Sequence, residues 1–250
     1  MSGAWRGTLN RWRRRIAHAL LHRVVFGETS GGRYLPNTRI APSTCIEHED
    51  RLQLADHVFI GAFNFIEASG GVTVGEGVQI THHVGIVSHS SHRAQRLLGR
   101  AYADWPASAT EPRPGWIAGP VHIGPYCFIG PQVLIEAGTR LGRGCIVSAG
   151  SVLRGDFPAF SRIAGNPARV VGDSREGDAR WLAEQPALRA HYDAWAAADL
   201  SPACVDRAER AAPAGPADLS TEPAQPAQPA EPAAPAEPVE PAAPAASARP

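Results

Sequence analysis

Residues 121–155 read VHIGPYCFIGPQVLIEAGTRLGRGCIVSAGSVLRG, and their aliphatics keep an odd metre. Ile123, Ile129, Ile135, Leu141, Val147 and Leu153 stand six residues apart without exception. A helix sets apolar residues every three or four positions and a half-buried strand every second one, so neither fits. A short flat strand followed by a sharp corner, repeated three times per coil, does fit. Each coil then takes about eighteen residues and rests on the next at the ordinary strand spacing of about 4.8 Å. The aliphatic fills a narrow prism, and the residue four places on also faces inward, kept small because three walls converge. Cys127, Val133, Thr139, Cys145 and Ser151 hold that second position. The residue after the aliphatic is small or acidic (Gly124, Gly130, Glu136, Gly142, Ser148), with glycine expected to serve tight turns of positive φ. The expected fold is all-β: a parallel β-helix in which each coil pairs only with its neighbours. An antiparallel sandwich would instead alternate and turn on dipeptides such as Asn-Gly. The stretch shows neither.

An earlier set keeps the same time: Leu54, Ile60 and Ile66, then Val74, Ile80 and Ile86 after a slip of two residues. Here Val58, Val78 and Val84 are the inward fillers. After Ile86 the metre stops, and it resumes at Val121. An excursion of this length from a regular solenoid is usually functional. At its root lies VSHSSHR, with His89, His92 and Arg93.

Outside the repeat the chain reads differently. Residues 1–26 suggest a basic amphipathic helix on which Trp5, Leu9, Trp12, Ile16 and Leu20 share one face. Such a helix packs on its own domain, on a sister subunit, or in an anionic membrane surface. His18, His22 and Arg23 interrupt its short apolar run, so it does not read as a secretory signal. Residues 40–172 form the repeat domain, with a loop over 88–119, and residues 173–200 suggest a helical extension. From 211 to 250 the chain is almost wholly Pro, Ala and a few acids, which favours a disordered tail. The balance of 24 basic and 24 acidic residues gives no sign of a nucleic-acid partner. All the basic residues are arginine. Four cysteines without a C-x-x-C pair fit reduced thiols in a cytoplasmic protein, with contact to the inner face of a membrane left open.

Three segments together resemble the hexapeptide-repeat acyltransferases, in particular the maltose, galactoside and polysaccharide O-acetyltransferases. They are VSHSSHR before the long loop, the run ending IVSAGSVLRGDFP, and the closing SRIAGNPARVVG. The likeness covers roughly residues 40–172. It implies a left-handed coil, a homotrimer with sites at the subunit joins, and acetyl-CoA as co-substrate without a metal. It also implies that His89 is the general base for transfer of an acetyl group to a sugar hydroxyl. Histidine suits that task because its ordinary pKa near 6.5 leaves it neutral yet protonatable. His92 is a candidate to align His89 or to meet the acceptor, and Asn64 matches an asparagine that contacts the sugar. Glu67 is either the acceptor of the second imidazole N–H or a plain corner residue. Pro131, Ala149, Arg154 and Arg169 match positions that touch coenzyme A. The chain departs from some relatives in having Arg154-Gly155 in place of Thr-Lys, and Gly172 in place of a basic residue, so phosphate contacts are redistributed.

Three other readings stay open. One is an antibiotic rather than a polysaccharide precursor as acceptor. Another is a zinc-dependent carbonic-anhydrase-like solenoid using His82, His83, His89 or His122. The last is a non-catalytic scaffold that docks partners through its helix and tail.

Overall fold

The computed structural model describes residues 4–106 and 113–197. The tail expected over 211–250 lies outside the described residues. Short strands, of two to three residues up to the closing Ser161–Gly165, follow one another around three parallel faces. The first face stacks Arg39–Ile40, Phe59–Ile60, Gln79–Ile80, Phe128–Ile129, Ile146–Val147 and Ser161–Gly165. Cys45–Glu47, Phe65–Glu67, Gly85–Val87, Leu134–Ile135 and Val152–Leu153 make the second. Leu52–Leu54, Val72–Val74, Val121–Ile123, Arg140–Leu141 and Asp156–Phe157 make the third. Going along the chain, the faces recur in that order, so each coil visits all three.

The register stacks like on like. Ile60, Ile80, Ile129 and Val147 form one ladder, and Ile66, Ile86, Ile135 and Leu153 the next. Every one of these eight side chains is buried, as are the fillers Val58, Val78, Val84, Cys127, Val133, Thr139, Cys145 and Ser151. Cys127 and Cys145 stack inside successive coils, and their thiols donate to the carbonyls of Gly142 and Pro158 at 3.0 and 3.1 Å. They are small core fillers.

Two details differ from the sequence expectation. The first coils are longer than eighteen residues: Ile40, Ile60 and Ile80 pair at intervals of twenty, and Ile129 to Val147 takes eighteen. The two extra residues sit at the corner from the second face to the third, at 67–72, and the long excursion leaves from that same corner one coil later. The second difference concerns glycine. Positive φ falls three places after the aliphatic, at His57, Phe63, His83, Tyr126, Gln132 and Phe160 among others, and not at the glycine directly after it. That glycine answers to coil stacking: a Cβ on Gly124 would lie 2.7 Å from the Arg143 nitrogen, and one on Gly130 2.7 Å from the Val147 oxygen. The neighbouring coil leaves no room.

Despite the excursion the solenoid is unbroken, because Val72–Val74 pairs directly with Val121–Ile123. At the far end Ser161–Gly165 pairs antiparallel with Ala168–Asp173 and closes the prism. Helix α1 spans Ala4–Leu21, α2 spans His92–Leu98 within the excursion, and α3 and α4 span Ser174–Glu184 and Arg189–Ala196. Asp173 caps α3 by accepting from the Arg175 N–H at 2.9 Å, and Ser174 Oγ donates to the Gly144 carbonyl at 2.9 Å. Trp195 of α4 stacks on Tyr126 at 4.8 Å, which seats the pair of C-terminal helices on the corner from the third face to the first.

The ladder carries the stability. Ile129 is 0 % exposed, so Ile129→Ala is expected to lower the unfolding free energy by about 2–5 kcal/mol. A shift of the denaturant midpoint checks it, at an unchanged dependence on denaturant.

Candidate active site

The widened corner from the second face to the third brings a carboxylate under a histidine. Glu67 ends the strand Phe65–Glu67, and Val87 lies directly over it in register. Ser88 and His89 follow Val87 as the chain leaves the solenoid. His89–Ser90 then pairs antiparallel with Ile117–Ala118, and the Gly119 N–H donates to the Ser88 carbonyl at 3.0 Å. Both ends of the excursion are therefore zipped together at its root, and the backbone of His89 is held by its pairing with Ala118.

Glu67 is 3 % exposed, a setting that penalises a charge unless donors replace the lost water. Its Oε1 accepts from the Ser69 N–H at 2.8 Å. Its Oε2 accepts from the Ser88 N–H and Oγ at 3.2 and 2.9 Å, and lies 2.7 Å from His89 Nδ1. Burial pushes the carboxyl pKa up, but the donors from Ser69, Ser88 and His89 outweigh it and bring it down to about 2. Glu67 is thus an anion at neutral pH. An anion beside Nδ1 demands a proton there, so the neutral imidazole carries Nδ1–H and leaves Nε2 with a free lone pair. Ser69 Oγ lies 3.0 Å from Nδ1 and steadies the same contact. Trp116, on the returning limb of the excursion, stacks on the ring with centroids 4.6 Å apart and planes 12° from parallel. The Arg113 guanidinium lies 5.3 Å from the Trp116 ring and 4.5 Å from that of Tyr102. The His89 side chain remains 27 % exposed, so a reactant can reach it. The chemistry on offer is proton removal by an imidazole oriented through Nδ1.

The other residues singled out in the sequence scatter more widely. His92 opens α2, is exposed, and has Nδ1 2.7 Å from Ser90 Oγ. Asn64 requires a correction. It is 2 % exposed, and its amide nitrogen donates to the carbonyls of Gly61 and Thr81 at 2.9 and 2.8 Å while its oxygen accepts from the Val84 N–H at 2.7 Å. With its polar atoms so engaged inside the corner, it holds two coils together and does not reach an acceptor. Arg154 follows Leu153 on the same edge as His89, two rungs further along, or roughly 10 Å. Pro131 and Ala149 stack on a different edge, between the first and second faces, where the Gly150 N–H donates to the Pro131 carbonyl at 3.0 Å. Arg169 lies in the closing hairpin, exposed, its Nη1 donating to the carbonyl of Ala168 at 2.8 Å. The second face separates these last three from His89 within one chain.

Sequence reasoning missed Trp116 and Ser69. The signal for Ser69 was the two-residue slip, which falls on it. The signal for Trp116 was an aromatic residue five places before the metre resumes at Val121. Among the described residues no three His, Cys, Asp or Glu side chains converge to hold a metal ion.

Residues 120–155, the stretch of strictest metre, match the family described as bacterial transferase hexapeptide, with six repeats. That stretch is a hexapeptide repeat. The chain is 31 % identical to a protein of Mycobacterium tuberculosis described as a probable acetyltransferase, over 129 residues that make up 52 % of this chain and 39 % of the other. The chain therefore spans well under half the length of that relative. Among solved structures it is similar to a hexapeptide-repeat-containing acetyltransferase from Vibrio cholerae, at 22 % identity and a TM-score of 0.47, covering 66 % of this chain and 80 % of that one. A galactoside acetyltransferase in complex with coenzyme A is similar at 22 % identity and a TM-score of 0.46, over 57 % and 64 % of the two chains.

Because the Glu67 pKa is depressed from 4.5 to about 2 in the folded chain, its contribution to stability is full above pH 4.5 and is lost as pH falls toward 2. Glu67→Gln is expected to lower the melting temperature at pH 7 and to flatten the acid limb of a plot of melting temperature against pH in that window. An unchanged acid limb would mean that the carboxylate is not held as described.

Proposed function

We propose that the protein is an acyl-CoA-dependent O-acyltransferase, moving an acetyl group from acetyl-CoA to a hydroxyl of a sugar or cell-surface polysaccharide precursor. The observation that carries this reading is the His89 imidazole bound through Nδ1 to the ionised Glu67 at the mouth of the excursion, with Nε2 free. Transfer is direct. The acceptor oxygen attacks the thioester carbonyl while its proton passes to His89 Nε2, and a backbone amide stabilises the tetrahedral oxyanion. The carbon–sulfur bond then breaks, and the imidazolium returns the proton to the departing sulfur, so that coenzyme A leaves as the thiol. Glu67 is a positioning residue in this scheme: it fixes the tautomer and lowers the cost of the transient imidazolium. Trp116 holds the ring plane by stacking. His92, three residues along the excursion from His89, is assigned to the acceptor side.

Ser88 does not serve as a nucleophile here, since its Oγ is committed to Glu67 in a buried position. For coenzyme A, Arg154 supplies a cation on the edge that carries His89, suited to a phosphate. Pro131, Ala149 and Arg169 belong to the groove of a neighbouring copy, in a left-handed homotrimer whose sites form where two subunits meet. The separation of these residues from His89 by the second face is what favours a shared site over one built within a single chain. The hexapeptide-repeat match and a relative described as an acetyltransferase support the same class of reaction.

His89→Ala is expected to lower kcat/KM by roughly 10²–10⁴-fold, followed as thiol release from acetyl-CoA with a panel of sugar acceptors. Glu67→Gln is expected to lower kcat with little change in KM for acetyl-CoA, as befits a residue acting through the imidazole. Acetyl-CoA in about 100-fold excess over its Kd should add about 2.7 kcal/mol to the stability of wild type, read as a rise in melting temperature. Full activity of His89→Ala would remove the proposed base. A burst of thiol without any acceptor would replace direct transfer by an acyl-enzyme.

A further inference from the structure

Every side chain of α1 from Trp5 to Leu21 is exposed. Its apolar residues nevertheless fall in one stripe. At 100° per residue, Trp5, Leu9, Trp12, Ile16 and Leu20 lie within an arc of about 80°. They are 53, 48, 57, 56 and 67 % exposed, so the solenoid of the same chain does not cover them. Arg6 and Arg13 flank the stripe on one side and Arg15 on the other. The Arg6 and Arg15 guanidinium carbons lie 5.9 and 5.8 Å from the rings of Trp5 and Trp12. Long arginines beside a stripe of this kind can rest their stems on apolar matter and keep their heads in a polar layer.

Only the end of the helix is seen to meet the solenoid through its rings. His22 meets Phe63 edge-on at 5.0 Å, and Phe63 in turn stacks on His83 at 5.2 Å. His18 stacks on His22 at 5.6 Å. These rings fix the root of the helix to the edge between the first and second faces and leave its length exposed.

We infer that α1 docks on an anionic lipid surface, lying in the headgroup layer with Trp5, Leu9, Trp12, Ile16 and Leu20 inward. Charge selects this occupant. Arg6, Arg11, Arg13, Arg14, Arg15 and Arg23 precede the first acid, Glu28, so residues 1–27 carry six arginines and no carboxylate side chain. The chain as a whole balances 24 basic against 24 acidic residues, which leaves 18 against 24 beyond that point. The positive charge is therefore segregated onto the segment that carries the uncovered stripe. Anionic headgroups complement such a segment, and tryptophan favours the boundary between headgroups and acyl chains. Pairing the stripe with that of a second copy would bring ten helix arginines together with no acid on either helix. No helix among the described residues is long and apolar enough to cross a membrane, so α1 lies on the surface. The inference stands apart from the acyl-transfer reading and neither needs the other.

The test uses the full chain with large vesicles of phosphatidylcholine containing about 30 % phosphatidylglycerol, and with phosphatidylcholine alone, followed by co-sedimentation. Binding to the anionic vesicles is expected to exceed that to the neutral ones by roughly tenfold or more at low salt, and to fall steeply at about 0.5 M salt. The double variant Trp12→Ala/Ile16→Ala should lose about tenfold or more of the binding, because the apolar anchor is gone. Arg13→Glu/Arg14→Glu should erase the preference for anionic vesicles. An unchanged melting temperature of the solenoid in both variants confirms that the chain still folds. Absence of wild-type binding to anionic vesicles at low salt overturns the inference. So does a drop in solution mass for Trp12→Ala/Ile16→Ala, by light scattering, with lipid binding untouched, since the stripe is then covered by another copy.

Discussion

Everything in this molecule is arranged around a prism too narrow to hold more than two side chains per wall. Each coil lies on the next through parallel backbone pairing, and that spacing is set by hydrogen bonds that no side chain can lengthen. An aliphatic residue at each strand end fills the axis, and a small residue four places on completes it. The glycines after the aliphatics follow from the same limit, because a Cβ at Gly124 or Gly130 would strike the backbone of the coil alongside. Faces and axis are thus fixed, and variation is confined to the corners.

One corner carries nearly all of that variation. On the first coils the step from the second face to the third is two residues longer, and on the third coil it opens into the whole excursion. The wider turn at 67–71 lets Ser69 fold back on Glu67, and the departing strand lays Ser88 and His89 over the same carboxylate. A buried carboxylate is costly when unpaired, yet here the donors offset burial so far that the anion persists to strongly acid pH. The charge that results can be answered in only one way by a neutral imidazole, and that answer frees Nε2. Local irregularity in an otherwise rigid rod thereby becomes a defined proton acceptor.

The rod also keeps things apart. Residues on different edges are separated by the width of a face, and no movement of a packed prism brings Pro131 or Ala149 toward His89 within one chain. Likewise α1 is fastened at its root by His22 and Phe63 while its stripe points away from the core. Both features direct the chain's unused surfaces outward.

The sequence by itself determined the solenoid, because a six-residue metre of aliphatics with small fillers has one backbone that satisfies it. It also marked where to look: the slip before Val74 and the break after Ile86 fall on the corner where Glu67 and His89 meet. Read strictly, the metre even placed Asn64 indoors, four residues after Ile60, although likeness to sugar-binding asparagines pointed the other way. Its burial follows from position, and its three backbone partners are the consequence. What only the tertiary structure decided is who touches whom across coils. The 2.7 Å contact between residues 67 and 89, the stacking of Trp116 on the imidazole, and the exposure of the α1 stripe depend on rotamers and on the course of the excursion. A periodic pattern specifies a repeating backbone, and these contacts arise where the period fails.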